Sequence, residues 1–351
     1  MSKGLPTAHI KDTIAIVVTN EANENLCQRR GEVDMSLTLT ERQQREIEAF
    51  CNIAKENGAA ISLRELIELA AIDASEHELA TAFHSDSKLR SKYLLESGYV
   101  LEKLAANEEP GQRTVGEEEK RRERGRQNLK RASRFGQVLV DGAVLVSVSG
   151  ANSYLSAKED DDIDFFCVTK TGSMWPFMLR ALILARIHRL ANSDVPELCF
   201  SCIMDERWAT KEFRERQHAI FARDALTAKV IGGWTTYHAL LEEARWMESY
   251  FPAFYTIRLR ESDVAEDEGP PPQDLSAHGD EEAGSTVLNS FLYFTLGSFL
   301  RIKSWALNRR LAKSSRHSSV FATRIGKGHY IYESNGYRKL RKMYGELEKE
   351  S

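Results

Sequence analysis

Two aspartates one residue apart, Asp162 and Asp164, stand in the stretch SVSGANSYLSAKEDDDIDFFCVT, residues 147–169. They link an acidic run, Glu159 to Asp162, to an apolar one, Phe165 to Val168. Strand side chains alternate, so in a strand Asp162 and Asp164 share one face while Ile163 and Phe165 point to the other, into a core. Carboxylates projecting side by side repel unless a cation sits between them. Their oxygens are the hard ligands that Mg2+ (or Mn2+) takes together with water and substrate phosphates. Glu159, Asp160 and Asp161 read as a solvated loop. The pair differs because apolar residues surround it, and burying unpaired carboxylates is costly.

Ahead of the pair, Ala143 to Val148 reads as a buried strand that runs into Ser149-Gly150-Ala151. A glycine at that point lets backbone amides approach a phosphate closely. Ser149, Asn152 and Ser153 offer polar side chains beside it. An acidic pair on a strand, opposite a glycine turn, is the layout of a metal–nucleotide site.

At these residues the chain resembles the DNA polymerase β-like nucleotidyltransferase superfamily. That family's motif is an apolar strand ending in Gly-Ser or Gly-Gly, about ten residues, then Asp-x-Asp in an apolar strand, and its meaning depends on structural context. Here the matching residues are Gly150-Ala151 and Asp162-Ile163-Asp164. The wider order, with Thr169-Lys170-x-Gly172-x-x-Trp175 after the second strand, looks like a prokaryotic branch with a winged-helix-like N-terminal part.

The resemblance implies an α+β fold: a nucleotidyltransferase core with a mixed β-sheet flanked by helices, a winged-helix-like N-terminal domain and a helical C-terminal region. It implies Mg-dependent transfer of a nucleoside monophosphate from an NTP to a hydroxyl on RNA, protein or a small molecule. Asp162 and Asp164 would hold the metal. Asp205, ending ELCFSCIMD, is the candidate third carboxylate, holding the ion at the nucleophile and accepting its proton. Ser149, Gly150, Ala151, Ser153 and Lys170 are the candidate nucleotide contacts, Lys170 also reading as a solvated turn lysine. Two positions depart from the pattern. Ala151 has no hydroxyl, and Asp205 is followed by Glu206 rather than by an apolar residue. They favour an alternative: a catalytically inactive nucleotide-sensing regulator that binds nucleic acid through the winged helix. The intact Asp162-x-Asp164 favours the enzyme, which is the expectation.

Several elements must position these residues. Residues 1–38 read as an N-terminal extension, with Ile14 to Val18 as a short candidate strand. Residues 39–106 read as the winged-helix-like domain, the alternative being a helical lid or dimerisation domain. Thr40 with Gln43, and Ser62 with Glu65, have capping-box spacing, and KYLLESGYVLEKL reads as strand–turn–strand. A linker and a charged helix fill 107–134, and the core spans 135–210. Residues 211–351 are expected to be helical, with an acidic loop at 261–285.

The chain has 351 residues, a formal net charge of −4 and five cysteines. An odd cysteine count without framework spacing suits a reducing, cytoplasmic setting. Cys199-x-x-Cys202 lacks the second pair that structural zinc needs, so it reads as core packing. Val287 to Leu300 is too short an apolar run to span a membrane before Arg301 and Lys303. The basic clusters at Arg301 to Arg316 and Arg338 to Lys342 read either as a solvated face or as a path for a nucleic-acid acceptor.

Overall fold

The computed structural model describes residues 37–56, 59–103, 115–192, 195–267, 281–313 and 322–350. The N-terminal extension up to residue 36, the linker at 107–114, Arg316 and the middle of the acidic stretch, 268–280, lie outside the described residues.

The N-terminal unit begins with α1 (Glu41–Glu56), whose start is closed by the Thr40–Gln43 box, with Gln43 N donating to Thr40 Oγ1 at 3.2 Å. There follow β1 (Ile61–Ser62), α2 (Leu63–Leu69), α3 (Glu76–Ser85), α4 (Ser87–Lys92), β2 (Tyr93–Glu96) and β3 (Tyr99–Glu102). Ser62 and Ser75 both cap the next helix in reciprocal boxes with Glu65 and Glu78, which satisfies amide groups that would otherwise lack partners. The strands form a small antiparallel sheet in the order β1-β3-β2. Gly98, at φ +79, makes the tight turn between β2 and β3, a conformation most side chains avoid.

The charged helix α5 runs from Val115 to Val140, beyond its expected end at Arg134. Val138 to Val140, β-branched enough to read as strand, finish this helix because Leu139 packs into the core. Next come β4 (Leu145–Ser149), the short α6 (Gly150–Ser153), β5 (Ile163–Thr169), α7 (Met174–Ala191) and β6 (Leu198–Asp205). The remaining elements are α8 (Glu206–Glu215), α9 (Ala219–Thr227), β7 (Lys229–Gly232), α10 (Trp234–Glu243), α11 (Met247–Tyr250), α12 (Pro252–Asp267), α13 (Glu281–Lys313), β8 (Ala322–Ile325), β9 (His329–Glu333) and α14 (Asn335–Glu350).

The larger sheet is mixed, with strand order β7-β4-β5-β6-β9-β8. The β5–β6 pair is parallel and its other ladders are antiparallel. The region after 210 is therefore not purely helical. It supplies β7 to one edge and the β8–β9 hairpin to the other. These strands are four or five residues long and carry polar residues such as Lys229, Thr323, Arg324 and His329, so they give little apolar alternation to read. The expected acidic loop is also shorter, since α12 extends to Asp267 and α13 begins at Glu281.

Apolar side chains cover both faces of the sheet. Ile163, Phe165 and Cys167 pack with Phe135, Trp175 and Leu292 from α5, α7 and α13. Phe166, Val168 and Met204 face the other side, in a cluster continuous with the N-terminal unit. The expected boundary at 106 therefore does not divide the core. Burial on both faces explains why β5 reads as a near-continuous apolar run. Trp175 is fully buried; its amide donates to Asn289 Oδ1 at 2.8 Å and its indole N–H to the Gly326 carbonyl at 3.1 Å. It joins α7 to α13 and to the β8–β9 turn. Among the described residues, no helix is long and apolar enough to cross a membrane.

Candidate functional site

Strand β4 delivers its end to the start of β5. The two run antiparallel, and Ser149 pairs with Asp164. At Gly150 the chain turns with φ +67, and a Cβ there would stand 2.9 Å from Asp164 Oδ2. The glycine therefore serves both a left-handed turn and close contact with a carboxylate. Ser153 is buried, and its hydroxyl donates to the Gly150 carbonyl at 2.8 Å. It fastens the turn rather than projecting from it. Ala151 is half-buried and adds no polar atom.

The loop back to β5 is held from α5. Asn128 Nδ2 donates to Asn152 Oδ1 at 2.9 Å, and Asn152 Nδ2 donates to the Asp162 carbonyl at 2.7 Å. Both asparagines are buried. Arg124 adds a bond to the Ala157 carbonyl at 3.0 Å. Gly125 lets the loop approach, since a Cβ there would meet Leu155 Cα at 2.8 Å. Lys158 N donates to Asp161 Oδ2 at 2.7 Å, closing a turn, while Glu159 and Asp160 are exposed.

Asp162, just before β5, is exposed, whereas Asp164 is half-buried. Partial desolvation raises the Asp162 carboxyl, and the charges of Glu197 and Asp161 add to that while Arg189 opposes it. Burial pushes Asp164 up to about 6; hydrogen bonds from Cys199 and Ser201 act against this, and the charge of Asp162 reinforces it. The two carboxylates are thus close enough to disfavour each other's ionisation, the condition a bound cation relieves. Burial raises the Tyr332 hydroxyl, and Asp162 and Asp164 are among the charges that add to it, which places β9 at the same site.

Asp205 and Lys170 are elsewhere. Asp164 pairs with Cys199 across the parallel β5–β6 ladder, whereas Thr169 pairs with Asp205. Asp205 is therefore six residues further along β6 than Cys199, a separation of about 20 Å along the strand. Its side chain caps α8, accepting from Trp208 N at 3.0 Å. Lys170 is exposed just beyond Thr169, where its charge acts on Glu206. The structure thus does not bring Asp205, expected as third carboxylate, or Lys170, expected as a nucleotide contact, to the Asp162–Asp164 pair. Parallel strands carry their C-terminal ends away from the Gly150 turn. Beside Asp164 on β6 stand Cys199 and Ser201, and among the described residues no group of three or more His, Cys, Asp or Glu could hold a metal ion.

Glu197, Cys199, Ser201, Tyr332 and Asn128 were not legible as site residues, whereas Asn152 was named beside the turn and holds the loop instead. The strand position opposite Asp164 lies six residues before Asp205, at Cys199, with Glu197 and Ser201 two residues to either side of it. Nothing in the sequence announced Asn128 or Tyr332. The aromatic residues of the helices after 210 are framework: Tyr237 donates to the Ala225 carbonyl at 2.9 Å and Trp246 to that of Phe213 at 2.6 Å. His188 lies against Phe135, with ring centroids 5.4 Å apart. Two open cavities also lie away from Asp164. One, of 570 Å³, lies beside Val168, Glu206 and Thr235. The other, of 610 Å³, lies among Glu212, Arg216, Arg324 and Glu333, residues that already pair with one another.

No family model matches the chain, and no curated protein or solved structure matches it either.

Proposed function

We propose that the Gly150 turn and the Asp162–Asp164 pair form a nucleotide-binding site of the nucleotidyltransferase type, which binds a metal–NTP complex without transferring its nucleotidyl group. The observation that carries this reading is the pairing of Asp164 with Cys199 and Ser201 in place of a third carboxylate. Two carboxylates suit an Mg2+ ion that keeps several waters and takes its other ligands from phosphates. They do not suit the second ion that would activate an attacking hydroxyl. The donor set therefore fits one ion brought in with the nucleotide, and when bound that ion supplies charge neutralisation to the phosphates.

The chain's own groups divide the remaining work. Asp162, reaching solvent, and Asp164, behind it, present oxygens to the ion. Gly150 leaves room for a phosphate beside the strand end. Ser149 is half-buried at the same place, and α6 has no side-chain cap bond from it. Cys199 and Ser201 donate to Asp164 and orient its carboxylate. The order of elements in the N-terminal unit and its β1-β3-β2 sheet support a winged-helix reading, and so a regulator that reports nucleotide binding to nucleic acid. Arg338, Arg341 and Lys342 on α14 are exposed and available to phosphates.

Transfer is the second reading, favoured by Glu197, whose charge acts on Asp162 from just before β6. A third carboxylate from that position would serve in place of the one missing beside Asp164. An incubation with each α-labelled NTP, Mg2+ or Mn2+ and cellular RNA separates the two, with an Asp162→Ala/Asp164→Ala protein alongside. Nucleotide retained on the wild type alone, with no label moved to RNA, protein or a soluble product, is expected. Label moved by the wild type and not by the variant establishes the transferase instead.

A further inference from the structure

Helix α13 is apolar on two sides. Leu292, Leu300 and Asn289 are buried, and Gly297 lies against Trp175 of α7 closely enough that a Cβ would stand 3.1 Å from its ring. On the side away from α7, Val287, Phe291, Phe294, Ile302 and Trp305 are between 61% and 72% exposed. A helix that is apolar all round is normally covered all round. These five side chains alone expose roughly 650–700 Å². That lies above the largest apolar patch of a typical monomer, roughly 300–600 Å², and approaches the roughly 800 Å² per partner of a stable complex.

We propose that this face is a homodimer interface in which α13 packs antiparallel against α13 of a second copy. Two features select that occupant. The ends of the stripe exchange when the helix is reversed about Leu296: Val287 then meets Trp305, Phe294 meets the small, exposed Ser298, and Phe291 meets Arg301, one residue before Ile302. Large side chains opposite a small one give the interdigitation that helix pairs require. The charge order is also self-complementary. Glu281 and Glu282 open the helix, and Arg301, Lys303, Arg309 and Arg310 stand toward its end. Antiparallel pairing sets the acidic end of each copy against the basic end of the other, and parallel pairing sets like against like. Such a two-fold contact uses the same patch on both subunits. Ile183, Ile187 and Leu190 of the adjoining α7 are exposed as well.

Sedimentation equilibrium of the full chain reads this directly. A dimer is expected at micromolar concentration, and Phe291→Glu/Ile302→Glu should weaken it at least about 100-fold while the circular dichroism spectrum stays the same. Charge variants test the orientation without touching the apolar stripe. Glu281→Arg/Glu282→Arg should weaken the dimer about tenfold at low salt, and adding Arg309→Glu/Arg310→Glu should restore it. A chain that stays monomeric overturns the proposal, as does a dimer indifferent to Phe291→Glu/Ile302→Glu. A charge reversal that the second pair does not rescue overturns the antiparallel arrangement. A monomer that binds neutral lipid vesicles through Phe291 reassigns the face to a membrane surface.

Discussion

Gly150 and Asp164 face each other across the β4–β5 ladder so closely that position 150 has no room for a methyl group beside Asp164 Oδ2. The turn and the carboxylate are therefore one unit. Gly150→Ala faces both a left-handed φ of +67 and the 2.9 Å contact. It should cost about 1–3 kcal/mol of stability and weaken nucleotide binding at least about tenfold. Chemical denaturation and a nucleotide titration on the same protein check both. Binding unchanged despite lost stability would separate the glycine from the site.

Asp164 predicts a pH dependence with a definite sign. Its carboxyl is raised from an ordinary 3.8 to about 6, so folding favours the protonated form. The stability this contributes is fully present below 3.8 and is lost as pH rises through about 6. Asp164→Asn should accordingly stabilise the ligand-free protein by about 1–3 kcal/mol above pH 6 and not below pH 4. Metal–nucleotide affinity should move oppositely, rising up to about tenfold per pH unit as Asp164 ionises. Thermal melting across pH, with and without Mg2+ and ATP, tests both arms. A variant no more stable than wild type at neutral pH would contradict the desolvated carboxylate.

Asp205 distinguishes a helix cap from a metal ligand. Because its carboxylate accepts from Trp208 N at the start of α8, Asp205→Ala should cost about 1 kcal/mol and leave nucleotide affinity within about twofold of wild type. Asp205→Asn, which keeps a cap, should recover the stability. A large loss of binding in both variants would return Asp205 to the site.

Asn128 acts at a distance from any ligand. Replacing it with alanine leaves the buried Asn152 carbonyl oxygen without its 2.9 Å donor, at a cost of about 1–3 kcal/mol. Asn152 also holds the Asp162 carbonyl, so nucleotide affinity should fall together with stability. Isothermal titration above and below the melting onset separates misorientation from unfolding.

Ser201 offers a gain-of-function test. Ser201→Asp sets a third carboxylate beside Asp164, where the three charges repel until a divalent cation joins them. The variant should be less stable than wild type in EDTA and regain stability in Mg2+ or Mn2+ by several degrees, read by melting. Equal melting in both buffers would show that this position does not reach the ion.

The sequence by itself determined whatever depends on neighbours along the chain. The boxes at Thr40, Ser62 and Ser75 come from residues three apart. The turn at Gly98 and strand β5, with Asp162 just before it and Asp164 within it, are local too, as is the glycine turn at residue 150, since a single residue's φ and a two-residue alternation decide them. Tertiary structure decided whatever depends on pairing between segments. The register of β5 on β6 placed Cys199 and Ser201 beside Asp164 and carried Asp205 about 20 Å away. A parallel ladder can be slid by residues without changing either strand's own pattern, so acidic spacing could not reveal it. The polar strands β7, β8 and β9 joined the sheet through edge hydrogen bonds rather than through apolar alternation. The open face of α13 became visible only when α7 was seen to cover the other side.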